Sequence, residues 1–211
     1  VDMGVNIYCG QPATASFPDD AAKTHDALFL GCGLGRSIGL KIPGGDLARE
    51  GLAFLRRLRG PDACIRARKT AVIGGGNTAV DLARSLRRLG AEPVIVYRRR
   101  REDMPAFGHE VEMALTEGID LMELLAPVRI DETGDGCRLT LQPMRVEGTG
   151  PEGRARVVPD GEAHRTLDVE TVFTAIGADP EGEWLTPSVT EPGAIRLSHC
   201  TLIQRRLPTV Y

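Results

Sequence analysis

Three consecutive glycines set between an apolar run and an amphipathic run constrain this chain more than any other feature. They lie in "AVIGGGNTAVD", Ala71 to Asp81. "TAVIG" has the makeup of a buried strand. "NTAVDLARSLRRLG" has the period of a helix, with Ala79, Ala83, Leu86 and Leu89 on the inner face. Asp81, Arg84, Arg87 and Arg88 fall on the outer face, and Gly90 lies past the end. "PVIVY" then reads as a second buried strand and "FGHEVEMALTEG" as a second helix, with Val111, Ala114 and Leu115 on one face. "IDLMEL" reads as a third strand. Strands alternating with helices at this spacing call for a parallel sheet with right-handed crossovers.

The texture changes after Ala126. "PVRIDETGDGCRLTLQPMRVEGTG" and "ARVVPDGEAHRTLDVETVFTAIG" alternate apolar and polar residues around glycine turns. That pattern is an antiparallel meander returning to a final buried strand, "TVFTAIG". The expected fold class is therefore α/β: a Rossmann-like parallel sheet flanked by helices, with an antiparallel β-meander. Upstream, "QPATASFPDDAAKTHD" reads as a Pro/Asp-rich loop and "ALFLGCGLG" as an apolar strand ending in glycines. "IPGGDL" marks a turn. "AREGLAFLRRLRG" reads as a helix with Leu52, Leu55 and Leu58 on one face, stopped by Gly60-Pro61. From "ADPEGEWLTP" onward the chain is loop-like, with a weak strand signal in "GAIRLS".

Each position of the glycine turn has a physical reason. Gly74, Gly76 and Ala79 fit G-x-G-x-x-A. The first glycine allows the tight strand-to-helix turn, the second lets a pyrophosphate approach the backbone, and the small third residue lets helix and strand pack closely. The pyrophosphate sits on free N–H groups at the helix N-terminus. Asn77 and Thr78 can add side-chain donors. The cofactor-binding set at this turn is Gly74, Gly75, Gly76, Asn77, Thr78 and Ala79. The end of the next strand selects the nucleotide. An NAD site places an acid there for the ribose 2′-hydroxyl. This chain has Tyr97 followed by Arg98, Arg99, Arg100 and Arg101, with Glu102 the first acid. Guanidinium forks bind a 2′-phosphate and a carboxylate repels it, so the strand end selects NADP(H), with Arg98 and Arg99 as the pair. Two other readings stay open here: a glycine turn without a ligand in an interaction or regulatory module, and a solvated basic run that touches a partner or nucleic acid. "GCGLG", Gly31 to Gly35, has no helix opening behind it and fits close backbone approach better than a phosphate cradle.

Composition narrows the field. The chain has 211 residues, 42% hydrophobic and 26% charged, with a formal net charge of -3. That excludes a broadly basic nucleic-acid-binding surface. Cys9, Cys32, Cys64, Cys137 and Cys200 form no Cys-x-x-Cys, which excludes a thioredoxin-like redox pair, a zinc ribbon and a local iron–sulfur run. They read as reduced thiols. His25, His109, His164 and His199 lack metal-ligand spacing, and His109, Glu110 and Glu112 read as surface positions of a helix. No nucleophile–base arrangement stands out, so no catalytic side chain is assigned; hydride transfer needs none, because the cofactors carry that chemistry. No apolar run reaches the roughly 18–20 residues that span a bilayer. The first residues, "VDMGVNIYCG", lack a signal-peptide pattern. The expected location is the cytoplasm, with no membrane span.

Four stretches occur together and in order: "DALFLGCGLGRSIGLKIPGGDL", "VIGGGNTAVDLARSLRRLGA", "VYRRRREDMPAF" and "FTAIGADP". They resemble the small subunit of bacterial glutamate synthase and its NADPH-dependent flavoprotein relatives, including the matching part of dihydropyrimidine dehydrogenase. Met104-Pro105-Ala106, behind the arginines, is the most distinctive element. The resemblance implies an NADPH domain inserted into an FAD domain, with electrons passing from NADPH to FAD and then to iron–sulfur clusters and a partner subunit. It implies that Ala175, Ile176 and Gly177 lie near the nicotinamide and that Gly31 to Gly35 lie on the FAD side. The family's N-terminal FAD fingerprint and cysteine-rich cluster segments are missing, and the chain stops at "LPTVY", short of the family's FAD turn. The resulting expectation is an excised NADP(H)-binding insert with stubs of the FAD domain at both ends. Residues 1–50 would be a partial FAD-domain segment and linker, 51–185 the NADP(H)-binding domain, and 186–211 the return segment.

Overall fold

The computed structural model describes residues 4–25, 28, 29, 31, 33–58, 60, 64–150, 153–179, 195–197 and 200–202. The chain divides into two compact units, Val1–Arg36 with Asp179–Tyr211, and Ser37–Ala178. Those divisions differ from the expected boundaries at 50/51 and 185/186. Residues 37–50 go with the larger unit because Arg49–Glu50 is an edge strand of its sheet.

In the larger unit the strands are β1 (Arg49–Glu50), β2 (Lys69–Ile73), β3 (Glu92–Val96), β4 (Asp120–Met122), β5 (Leu125–Thr133), β6 (Gly136–Thr149), β7 (Ala155–Pro159), β8 (Arg165–Val169) and β9 (Thr171–Thr174). Its helices are α1 (Gly51–Arg57), α2 (Asn77–Arg88) and α3 (Gly108–Thr116). Five strands form a sheet in the order β1-β9-β2-β3-β4, and every neighbouring pair is parallel. The remaining four form an antiparallel sheet. The 14-residue β6 runs through it, pairing β5 and β8 along its first part and β7 along its second.

Side chains alternate across a strand with period two, and this alternation builds three layers. Val72, Ile95 and Phe173 pack against Phe54 of α1, Leu82 and Leu86 of α2, and Val111 and Ala114 of α3. Ala71, Ile73, Val96 and Val172 face the other way, onto Leu125, Ile130, Leu139, Leu141 and Val169. Helices therefore cover one face of the parallel sheet and the meander covers the other. Leu82, Leu86, Leu139 and Leu141 are fully buried; each contributes about 2 kcal/mol of apolar transfer. Arg49 lies over the rings of Phe54 and Phe173, 5.8 and 5.3 Å from their centroids, and holds the edge strand to α1.

Several expectations need correction. "QPATASFPDDAAKTHD" contains a helix, Phe17–Thr24, where a loop was expected. Proline at its first turn costs no intrahelical bond, since those N–H groups have no partner there. On α1 the buried residues are Gly51 and Phe54, while Leu55 and Leu58 are only partly covered. Arg84, expected on the solvent side of α2, has a side chain only 11% exposed, because Glu117 reaches it from the end of α3. "IDLMEL" is not one strand. β4 ends at Met122, and Leu124 at φ 54° turns the chain out of the parallel sheet into the antiparallel one. In the smaller unit, Ile195–Leu197 pairs antiparallel with Cys200–Leu202, where a weak strand signal was read. Ala27, Leu30 and Cys32 of the expected apolar strand and glycine cluster, the Pro61 stop, the run from Pro180 to Ala194 and "LPTVY" lie outside the described residues. Among the described residues no helix is long and apolar enough to cross a membrane.

Candidate functional site

The site follows from the topology. β9 and β3 flank β2 on opposite sides. The chain therefore leaves the carboxyl end of β2 one way and returns beside it the other way. Such a switch point is where open α/β sheets bind ligands. Gly74 follows β2, Tyr97 follows β3, and Ala175 follows β9.

The three glycines answer to different neighbours. Gly74 has φ +147°, and a Cβ there would lie 2.2 Å from the Ala175 carbonyl oxygen. Its N–H donates to Val96 O at 3.1 Å, and Ala175 N–H donates to Ile73 O at 2.8 Å. A Cβ on Gly75 would lie 2.4 Å from the Tyr97 ring. Gly76 is different. Its φ is -88°, open to any residue, and the nearest atom to an added Cβ is Pro105 Cγ at 4.0 Å. No described protein atom requires glycine at 76.

Gly76 is the N-cap of α2, with no side-chain cap. Its carbonyl accepts from the N–H groups of Ala79 and Val80. Those of Gly76, Asn77 and Thr78 have no acceptor among the described residues. Ala79 is fully buried where helix meets sheet. The loop from Met104 to Phe107 folds back over this turn. Ala106 N–H donates to Gly75 O at 3.2 Å, and Phe107 N–H donates to Asn77 Oδ1 at 2.9 Å. That bond occupies the carbonyl end of the Asn77 amide and leaves its NH2 end as a donor.

The four arginines are not equivalent. Arg100 Nε donates to Asp103 Oδ2 at 2.9 Å, and this guanidinium holds the Asp103 carboxyl below its ordinary value. Arg100 also pairs with Glu102 at 2.5 Å. Arg101 pairs with Glu112, and its N–H donates to Glu123. Glu112 is exposed, as expected, and also pairs with Arg101. Arg99 Nε donates to Ala155 O at 2.7 Å, and its carbonyl accepts Leu124 N–H at 3.1 Å. Arg98 is exposed and has no ion pair among the described residues. Tyr97, buried, donates its hydroxyl to Asp103 O at 2.9 Å. The strand tip is therefore held on both sides, with its outer two arginines neutralised and its inner two not.

A cavity of about 530 Å³ opens beside Arg98 and Arg99, lined also by Arg154, Ala155, Arg156 and Val157 of the β6–β7 hairpin and by Gly150. None of these described lining residues is acidic. The only sequence trace of Arg154 and Arg156 is an Arg-x-Arg step at the start of a short strand. Tyr97 was read only as the residue before the arginines; its ring, filling the space beside Gly75, is a support of the turn. Ala175, Ile176 and Gly177 follow β9 at the switch point: Ala175 is buried against Gly74 and Ile176 is 42% exposed. Gly177 accepts Ile38 N–H at 3.1 Å. His109, exposed, stacks on Phe107 with centroids 5.9 Å apart. Among the described residues no cluster of three or more His, Cys, Asp or Glu could hold a metal ion, and Cys9, Cys64 and Cys137 are free thiols.

Behind the site, α2 is tied to α3. Arg84 grips Glu117 through Nη2–Oε1 at 2.6 Å and two Nε contacts at 3.1 Å, and Arg88 adds a bond at 3.2 Å. The Arg84 hydrogen bonds hold the Glu117 carboxyl below its ordinary value. Burial, then the neighbouring Glu110, pushes the Asp81 carboxyl up.

Comparison with known proteins shows the family of the chain. The putative oxidoreductase YgfK of Escherichia coli O157:H7 is 33% identical over 190 residues, covering 83% of this chain and 18% of that protein. The NADPH-Fe(3+) oxidoreductase subunit beta of Geobacter sulfurreducens is 32% identical over 188 residues, covering 85% of this chain and 28% of that one. The glutamate synthase [NADPH] small chain of Escherichia coli is 31% identical over 190 residues, covering 82% and 40%. The chain thus spans well under half the length of these curated relatives. Among solved structures, Mycobacterium tuberculosis FprA in complex with NADPH shares the fold, with a TM-score of 0.60 at 18% identity over 76% of this chain and 52% of that one. Residues 4–198 match the pyridine nucleotide-disulphide oxidoreductase family, and the chain belongs to it.

Proposed function

We propose that this chain is the NADP(H)-binding part of a glutamate-synthase-small-subunit-like flavoprotein oxidoreductase that passes hydride from NADPH to FAD. The observation that carries the reading is Gly76. Gly74 and Gly75 are glycine because Ala175 and Tyr97 occupy the space of their side chains, whereas the space at Gly76 is open and ringed by unpaired N–H groups. A ligand that must approach the backbone explains a glycine there.

On this reading the N–H groups of Gly76, Asn77 and Thr78 hold the pyrophosphate, beside the Gly74–Gly75 backbone, and Ala79 lets α2 approach. Arg98 and Arg99 hold the 2′-phosphate, the two arginines of the run without an ion pair among the described residues. Ala175, Ile176 and Gly177 border the nicotinamide end. When bound, NADPH supplies a hydride; the chain's own residues bind and orient it. On this reading the larger unit, Ser37–Ala178, is the NADP(H) domain, and Val1–Arg36 with Asp179–Tyr211 belong to the FAD domain. The FAD is held largely by other parts of the parent protein, which works in the cytoplasm with an iron–sulfur protein or a large subunit as its electron partner.

Titration of the chain with NADPH and with NADH, followed by calorimetry, tests the reading. NADPH is expected to bind about a hundredfold more tightly, the worth of two charge-assisted contacts. Equal affinities would remove the role of the arginines, and no binding of either would remove the cradle.

A further inference from the structure

We propose that Arg154 and Arg156, on the β6–β7 hairpin, are specificity-determining residues that close the 2′-phosphate subsite opposite Arg98 and Arg99. This rests on the NADP(H) reading above and adds a second wall to it. The cavity of about 530 Å³ is lined by the strand tip and the hairpin together. One bond fixes the separation of the walls: Arg99 Nε donates to Ala155 O at 2.7 Å, across 56 residues of sequence. Arg99 thereby positions the hairpin as well as offering its remaining nitrogens to an anion.

The strand register does the rest. Ala155 is buried, and its neighbours Arg154 and Arg156 are both exposed. Arg156 is the second residue of β7 and Arg154 the residue just before it, and both stay exposed on either side of the buried Ala155. They are not equal. Glu147 lies 3.4 Å from Arg156 and 3.4 Å from Arg145, and shares its charge between them. Arg154 has no ion pair among the described residues. It is therefore the stronger of the two toward a dianion. A nucleotide without the 2′-phosphate gives the hairpin nothing to hold.

The test uses the 211-residue chain and two probes, 2′,5′-ADP and 5′-ADP, titrated calorimetrically against wild type, R98A, R154A and R156A. R154A is expected to bind 2′,5′-ADP about tenfold more weakly and R156A about threefold, one charge-assisted contact and a shared one, with 5′-ADP unchanged in both. If R98A weakens 2′,5′-ADP and R154A does not, the hairpin wall is wrong and the strand-tip subsite stands. If neither variant changes the ratio of the two probes, or wild type binds neither, the NADP(H) reading fails and takes the inference with it. If R154A weakens both probes alike, the hairpin is merely structural and the inference is overturned.

Discussion

The two ends of the candidate site are held by opposite means. At the glycine turn the walls are backbone and ring atoms packed so closely that Gly74 and Gly75 tolerate no side chain. At the arginine tip the walls are long charged side chains, and position is set by Asp103, Glu112 and the Ala155 carbonyl. The turn is rigid and exacting in shape; the tip is exposed and exacting in charge. Substitutions at the turn should therefore act on folding unless they fall on Gly76. Substitutions at the tip should act on which nucleotide binds and leave folding nearly alone.

Gly74→Ala should have the largest effect. It sets a Cβ against the Ala175 carbonyl in a backbone region that favours glycine, and is expected to lower stability by about 3 kcal/mol in urea unfolding. A stable Gly74→Ala protein would break the contrast at its rigid end. Arg98→Glu comes next. It exchanges attraction for repulsion and should weaken NADPH about a hundredfold with NADH unchanged, the melting temperature staying put. A fall in melting temperature would show the tip to be structural. The same end carries a pH signature. The 2′-phosphate gains a proton near pH 6, so the preference for NADPH over NADH should shrink as pH falls through that value. Arg84→Ala should act more weakly, through the α2–α3 tether. The Glu117 carboxyl is held below 4.5, so its contribution is present in full above that pH and is lost as pH falls below it. Thermal melts from pH 7 to 3 should show a steeper acid decline in wild type than in Arg84→Ala. Arg100→Ala should do least to affinity, within about twofold, because Asp103 and Glu102 already neutralise that guanidinium.

The same contrast explains what could be read before the structure was known. The strand–turn–helix unit follows from local period, which marks the buried face of each element whatever covers it. The alternation of Ala71, Val72 and Ile73 even gives the two faces of β2, although not which layer covers each. Long-range partners left no such trace. Arg84 carries a helical period that points outward, and only Glu117, 33 residues later, makes it a largely covered tether. Arg154 stands just before a short strand, like many surface arginines; its relevance depends on the Arg99–Ala155 bond. Gly75 fills a free position of the fingerprint, and Tyr97 supplies its reason. The helix over Phe17–Thr24 was hidden by a proline that is harmful inside a helix and harmless at its start.

Gly76 is the glycine no described protein atom requires, and so the position where a ligand's demand shows alone. Gly76→Ala, measured by thermal melting and by NADPH titration on the same preparation, separates the two roles a glycine can have. The account predicts a melting temperature within about 2 °C of wild type and NADPH binding weakened at least about tenfold. Unchanged NADPH affinity in a folded Gly76→Ala protein would contradict it.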